Sequence, residues 1–192
     1  MTHDVLERAP RLVRICAAPR LYVADVCVDA EEVAGLLALV DDEAWRAAHG
    51  IVERRDAGGS WFDVPVASDG RIARLALRIR AAAGHGGEPA HALRLRRCGV
   101  GEALPRADGE GEADGPIAVG LVCLTRADEG GGLQFLSAEP VSLALRTSPG
   151  QLLLWFRRLA DGRDDPAAAY TGTPVRRGVQ TTLTVVLRAS DA

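Results

Sequence analysis

The chain has 192 residues, a formal net charge of −3 and a pI near 5.8. Phosphate recognition needs a basic surface, so nucleic acid is excluded as the main partner. Hydrophobic residues at 47% and charged residues at 26% fit one globular domain, long enough to bury a core without disulfide or metal. Cys16, Cys27, Cys98 and Cys123 are scattered with no C-x-x-C pair, which argues against a thiolate zinc site. Cys98 and Cys123 sit in or beside apolar runs and read as small buried hydrophobes. No signal-peptide pattern follows the N-terminus and no apolar run is long enough to span a bilayer, so the expectation is a cytoplasmic protein with reduced thiols and no membrane partner. The arginine- and alanine-rich usage fits a GC-rich bacterial gene.

In chain order, residues 1–19 read as a loosely attached lead-in and 20–192 as one domain. Leu21–Val28 is rich in β-formers and reads as a strand. Asp29 followed by Glu32 has capping-box spacing, and the helix it opens carries Val33, Leu36, Leu37, Val40, Ala44 and Trp45 on one stripe until Gly50 stops it. Ser60–Val66 is a short strand candidate. Ser68 or Asp69 caps a second helix that turns Ile72, Leu75, Ala76 and Ile79 inward and ends in Gly84–Pro89. Helical support thus occupies 29–83.

From about residue 92 to 188 the period changes to two. Leu93–Arg97 and Val141–Leu145 alternate, Ile117–Leu124 and Leu152–Phe156 are continuous apolar runs, and Thr182–Leu187 is β-branched and apolar. Turn-formers at Asp128–Gly132, Pro149-Gly150 and Asp161–Pro166 separate them. Helices followed by short, evenly spaced strands give an α+β domain with a β-sandwich or barrel core.

Several motifs then occur in a telling order: Cys98-Gly99-Val100-Gly101, Gly130-Gly131-Gly132-Leu133-Gln134-Phe135, Ser148-Pro149-Gly150-Gln151-Leu152-Leu153-Leu154-Trp155, and Gly172-Thr173-Pro174-Val175-x-x-Gly178. From about Leu21 to Arg188 this series resembles the prolyl 4-hydroxylase-like branch of the Fe(II)/2-oxoglutarate dioxygenases. The resemblance implies a double-stranded β-helix, or jelly roll, with N-terminal helices packed outside. It also implies an iron site built from a His-x-Asp/Glu pair and a distal histidine, plus a basic residue that anchors the co-substrate.

Those groups are where the chain departs. The first pair falls on Arg106-Ala107-Asp108 or, without a gap, on Ala107-Asp108-Gly109. The distal histidine position falls on Tyr170, and the basic anchor on Gln180, which is neutral. Arginine stays protonated and offers no lone pair to a metal. The four histidines, His3, His49, His85 and His91, all precede the main run of strands. A standard ferrous site is not expected, and no cofactor is assigned.

Three readings follow. In the first, Tyr170, Asp108 and Arg106 line the old metal end of a pocket and catalyse a cofactor-independent, non-redox step on a small molecule, with Gln180, Arg97 and Trp155 binding substrate. The plain alternative for Tyr170 is that it fills the space left by the metal. In the second, the protein is a silent member that serves as a binding module, a regulator or the partner subunit of an intact oxygenase, docking through the sandwich flank or the helix of Leu36, Leu37 and Val40, leucines whose plainer reading is core; the partner expected beside a small molecule is a second copy in a homodimer or that oxygenase homologue. In the third, the acidic stretch Asp108–Gly115 supplies a non-standard metal site, against the ordinary reading of a solvated turn.

Overall fold

The computed structural model describes residues 10–84, 88–89, 91–106, 116–136 and 143–188. In chain order the elements are β1 (Val13–Cys16), β2 (Leu21–Ala24), α1 (Ala30–Asp41), α2 (Glu43–Ala48), β3 (Arg54–Asp56), β4 (Gly59–Pro65), α3 (Gly70–Ala83), β5 (Glu88–Pro89), β6 (Ala92–Cys98), β7 (Ala118–Thr125), β8 (Glu129–Phe135), β9 (Leu143–Leu145), β10 (Leu152–Phe156), β11 (Tyr170–Arg177) and β12 (Gln180–Arg188).

Local chemistry sets the helix ends. The Asp29 carboxylate accepts from the Glu32 backbone N–H at 2.8 Å, and the Asp29 N–H donates to the Glu32 carboxylate at 3.1 Å, so the expected capping box is formed. Asp42 then divides the expected long helix in two. Its extended backbone (φ −71°, ψ 104°) closes α1, and its side chain accepts from Trp45 N–H to open α2. At the far end of α3, Gly84 adopts the left-handed conformation (φ 63°) that a helix stop favours.

All strand pairs are antiparallel. The larger sheet runs β1-β2-β10-β7-β12-β6-β4-β3, with β5 also pairing β12, and the smaller runs β11-β8-β9. β10 and most of β7 are buried on both faces, which explains their unbroken apolar runs. One face of the larger sheet meets the helices. There Ile72, Leu75 and Ile79 of α3 and Leu36 and Val40 of α1 pack against Phe62, Val64, Leu93, Leu95, Leu152, Leu154, Leu183 and Val185. The other face meets the smaller sheet. The domain is therefore α+β, a jelly roll with its helices outside, as expected.

The helix layer presses hardest at Gly120 of β7. A Cβ there would lie 2.7 Å from Ile79 Cγ2, so only glycine lets α3 sit this close. Arg78, buried on the same helix, pairs with Glu32 at 2.8 and 2.9 Å and donates to the Cys27 carbonyl, tying α3 to the start of α1.

The structure also corrects the sequence reading in places. Val13–Cys16, within the expected loose lead-in, is a strand hydrogen-bonded to β2. The first strand proper stops at Ala24, because Cys27 and Val28 turn away to donate to the Gly150 carbonyl. β11 crosses Gly172 and Pro174, residues that ordinarily speak against a strand; its pairing with β8 holds on both sides of them, and the register shifts only between Val175 and Arg177. Leu36 and Val40 of the α1 stripe are core residues, in line with the plainer reading of that stripe. Cys27, Cys98 and Cys123 are buried free thiols, and burial pushes Cys27 up to about 12 and Cys98 to about 11. Among the described residues no helix is long and apolar enough to cross a membrane.

Ile79 is fully buried against Gly120. Ile79→Ala is therefore expected to cost about 2–5 kcal/mol in denaturant-induced unfolding. A cost below about 1 kcal/mol would show that α3 is not seated on the sheet in this way.

Candidate functional site in the barrel interior

The space between the two sheets is lined according to strand alternation. From the larger sheet β7 turns Val119 and Leu121 inward and β10 turns Leu153 and Trp155 inward. The smaller sheet adds Leu133, Phe135 and Val175. The facing side of β12 and β6 is polar. Gln180 pairs in register with Cys98, Thr182 with Arg96, and Thr184 with Arg94, all on the face opposite the helix-packed Leu93 and Leu95. The barrel is thus apolar on one flank and polar on the other.

Three aromatic rings fill the apolar flank. Trp155 and Phe135 are fully buried, and their centroids lie 5.5 Å apart at 80°. Tyr170, opposite Phe135 in the β11–β8 register, lies 5.1 Å from Trp155 at 79° and 6.1 Å from Phe135. Edge-to-face pairs of this kind contribute about 0.5–1.5 kcal/mol each beyond the area they bury. Tyr170 remains partly accessible. Its apolar surroundings nevertheless raise its phenol above the ordinary value, against the weaker opposing fields of Arg157, Arg96 and Arg94. Those fields are weak for a visible reason in two cases. Arg96 is paired with Asp56 at 2.6 and 2.8 Å, and Arg94 with Asp63 at 2.8 and 3.1 Å. The Arg96 guanidinium holds the Asp56 carboxyl at about 2.

The wall beside Tyr170 is built by backbone contact. Gly172 N–H donates to the Leu104 carbonyl at 3.0 Å, and Val175 N–H to the Glu102 carbonyl at 2.9 Å, so residues 101–104 run along β11. A Cβ on Gly172 would lie 2.4 Å from Leu104 N, which is why glycine follows Tyr170 so closely. Arg106, two residues beyond Leu104, is exposed. Asp108 and the acidic stretch to Gly115 lie outside the described residues, as do His3 and His85. His49 and His91 are exposed, and His49 packs against Trp45 of α2. Among the described residues no three His, Cys, Asp or Glu side chains converge where they could hold a metal ion.

At the other end, Gln180 is buried, and its Oε1 lies so close to Gly131 that a Cβ there would approach it to 2.6 Å. Arg97 does not belong to this site. It lies on the same side of β6 as Leu93 and Leu95, facing the helices, and forms an ion pair with Asp41 of α1. Two interior side chains lack a hydrogen-bond partner among the described residues: Trp155 Nε1, on the aromatic flank, and Thr182 Oγ1, two residues beyond Gln180. An unmet buried group costs about 1–3 kcal/mol. Phe135, which closes the aromatic trio, was missed from sequence. Its alternation with Leu133 along β8 was the available signal.

No family model and no curated sequence matches this chain. Solved structures do. The 2-oxoglutarate complex of a viral collagen prolyl hydroxylase from Paramecium Bursaria Chlorella virus-1 superposes with a TM-score of 0.71 at 13% identity, over 92% of this chain and 99% of that one. The fold is that of the 2-oxoglutarate dioxygenases. A Pseudomonas putida prolyl-4-hydroxylase gives 0.63 at 14% identity over 100% of both chains. The α-ketoglutarate-dependent carbocyclase SnoK, from nogalamycin biosynthesis, gives 0.62 at 11% identity over 100% of this chain and 85% of that one. At such identities the dioxygenase fold is shared while the site residues must be judged one at a time.

For Tyr170 that judgement has a direct readout. The absorbance transition lost in Tyr170→Phe is expected to have its midpoint above 10, the ordinary phenol value. Above that value the unfolded phenol ionises before the folded one, so stability falls as the pH rises further. A midpoint at or below 10 would mean that the ring is solvated rather than packed in the trio.

Proposed function

We propose that this protein is a catalytically silent member of the dioxygenase fold. In this reading it acts by binding a ligand or partner, and does not hold iron and 2-oxoglutarate in the manner of prolyl hydroxylases. The observation that carries the reading is the Phe135–Trp155–Tyr170 trio. Where the resemblance puts a metal-ligating histidine, this chain has a tyrosine whose ring is packed between two buried aromatics. The remaining donor set fits iron and co-substrate no better. Arg106 offers no lone pair, and Gln180 carries no charge to balance a carboxylate and lies against Gly131.

Anaerobic reconstitution with ferrous iron, followed by metal analysis and calorimetric titration with 2-oxoglutarate, tests this directly. The expected result is iron far below one equivalent and no saturable heat. Stoichiometric iron together with 2-oxoglutarate binding would overturn the proposal.

A second reading has one specific observation in its favour. Burial raises the Tyr170 phenol, which is partly accessible, and Trp155 Nε1 is a donor on the same flank with no acceptor among the described residues. Two such donors could polarise a substrate carbonyl, as a cofactor-independent isomerisation, elimination or cyclisation requires. This would make the protein an enzyme of small-molecule metabolism, with Tyr170 and Trp155 as its working groups. Asp108 would be the candidate base. Screening small carbonyl compounds by thermal shift separates the two readings. A stabilising compound whose effect vanishes in Tyr170→Phe supports the enzyme, and a flat screen removes it.

A further inference from the structure

On the outer side of the larger sheet, α1 and α3 enclose a groove of about 300 Å³, separated from the barrel by the sheet itself. Its floor is aliphatic, formed by Val28, Leu36 and Leu75, all buried. Its α3 wall carries Arg71, Arg74 and Arg78 at helical spacing, which places them along one side.

The outer two arginines are already committed. Arg71 is held by Asp69 at 2.9 and 3.0 Å and donates to the Gly35 carbonyl at 3.2 Å. Arg78 is held by Glu32 and the Cys27 carbonyl. Arg74, between them, forms no ion pair or hydrogen bond among the described residues and acts on Asp69 only through its field. On the facing α1 wall the situation repeats with opposite sign. Glu32 is engaged by Arg78, while Glu31, exposed one residue earlier, forms no ion pair among the described residues.

We infer that this groove binds a small zwitterion with an aliphatic side chain, that is, a free aliphatic α-amino acid. Arg74 receives the carboxylate through its planar fork of donors. Glu31 receives the ammonium, and Val28, Leu36 and Leu75 take the side chain. The neighbouring ion pairs matter to this assignment. Because Arg71 and Arg78 are neutralised by Asp69 and Glu32, and the Asp29 carboxylate is taken up in capping α1, the groove leaves Arg74 and Glu31 as the charged side chains with no bond of their own among the described residues, rather than a basic patch. Such a site discriminates against simple anions and simple amines. Its volume is at the small end of ligand pockets, which suits a single amino acid.

The inference stands apart from the reading of the barrel, since the two sites share no residue. Calorimetric titration of the full chain with L-leucine tests it, with 4-methylpentanoate and L-leucinamide as probes that each lack one charge. Saturable binding of L-leucine is expected. Either probe, or either exposed-site variant Arg74→Ala or Glu31→Gln, should weaken it by about tenfold or more, the worth of one charge-assisted hydrogen bond. Binding of either probe as tight as that of L-leucine would overturn the assignment. So would affinity unchanged in both variants, or no saturable binding up to about 10 mM, where the free energy falls below about 3 kcal/mol.

Discussion

Everything in this molecule depends on one sheet that is buried on both sides. β7 and β10 cannot face water on either face, so two separate layers must cover them: helices on one side, a second sheet on the other. Each layer then follows from a local device. Gly120 lets α3 settle onto the strands, and the Arg78–Glu32 pair fastens α3 to α1. On the other side Gly172 lets residues 101–104 lie against β11, which closes the barrel wall at Tyr170.

The two layers have different consequences for chemistry. The barrel side concentrates aromatic bulk. Trp155, Phe135 and Tyr170 stabilise one another through edge-to-face contacts and burial, and the same packing raises the Tyr170 phenol above its ordinary value. A group held neutral can donate a proton or a hydrogen bond but has little tendency to ligate a cation. The helix side instead carries charge in matched pairs. Its ion pairs leave Arg74 and Glu31 on the two walls of a groove, without ion pairs among the described residues.

Much of the fold was legible because it rests on patterns that sequence carries directly. The capping box at Asp29 and Glu32, the stripe on α3 and the apolar runs of β7 and β10 are all periodicities or fixed spacings. β1 and β11 were harder to read. β1 is short and exposed, and becomes a strand only because β2 is there to pair with it. β11 contains glycine and proline, and the neighbouring strand overrides their local preference. The break at Asp42 was hidden because one residue both ends a helix and begins the next.

The site divides along the same line. By itself, the sequence determined which residue types stand at the positions of interest: tyrosine at 170, glutamine at 180, arginine at 106, and no histidine near them. It also determined the order of turns and strands that places them on a jelly roll. Only the tertiary structure decided what surrounds those residues. That Tyr170 lies between Trp155 and Phe135, that Gln180 rests on Gly131, and that Arg97 turns to Asp41 and not to the barrel are contacts between residues far apart in the chain. Composition and spacing report local preference. The partner that a side chain meets across two sheets is fixed by register and by which face of the strand it occupies.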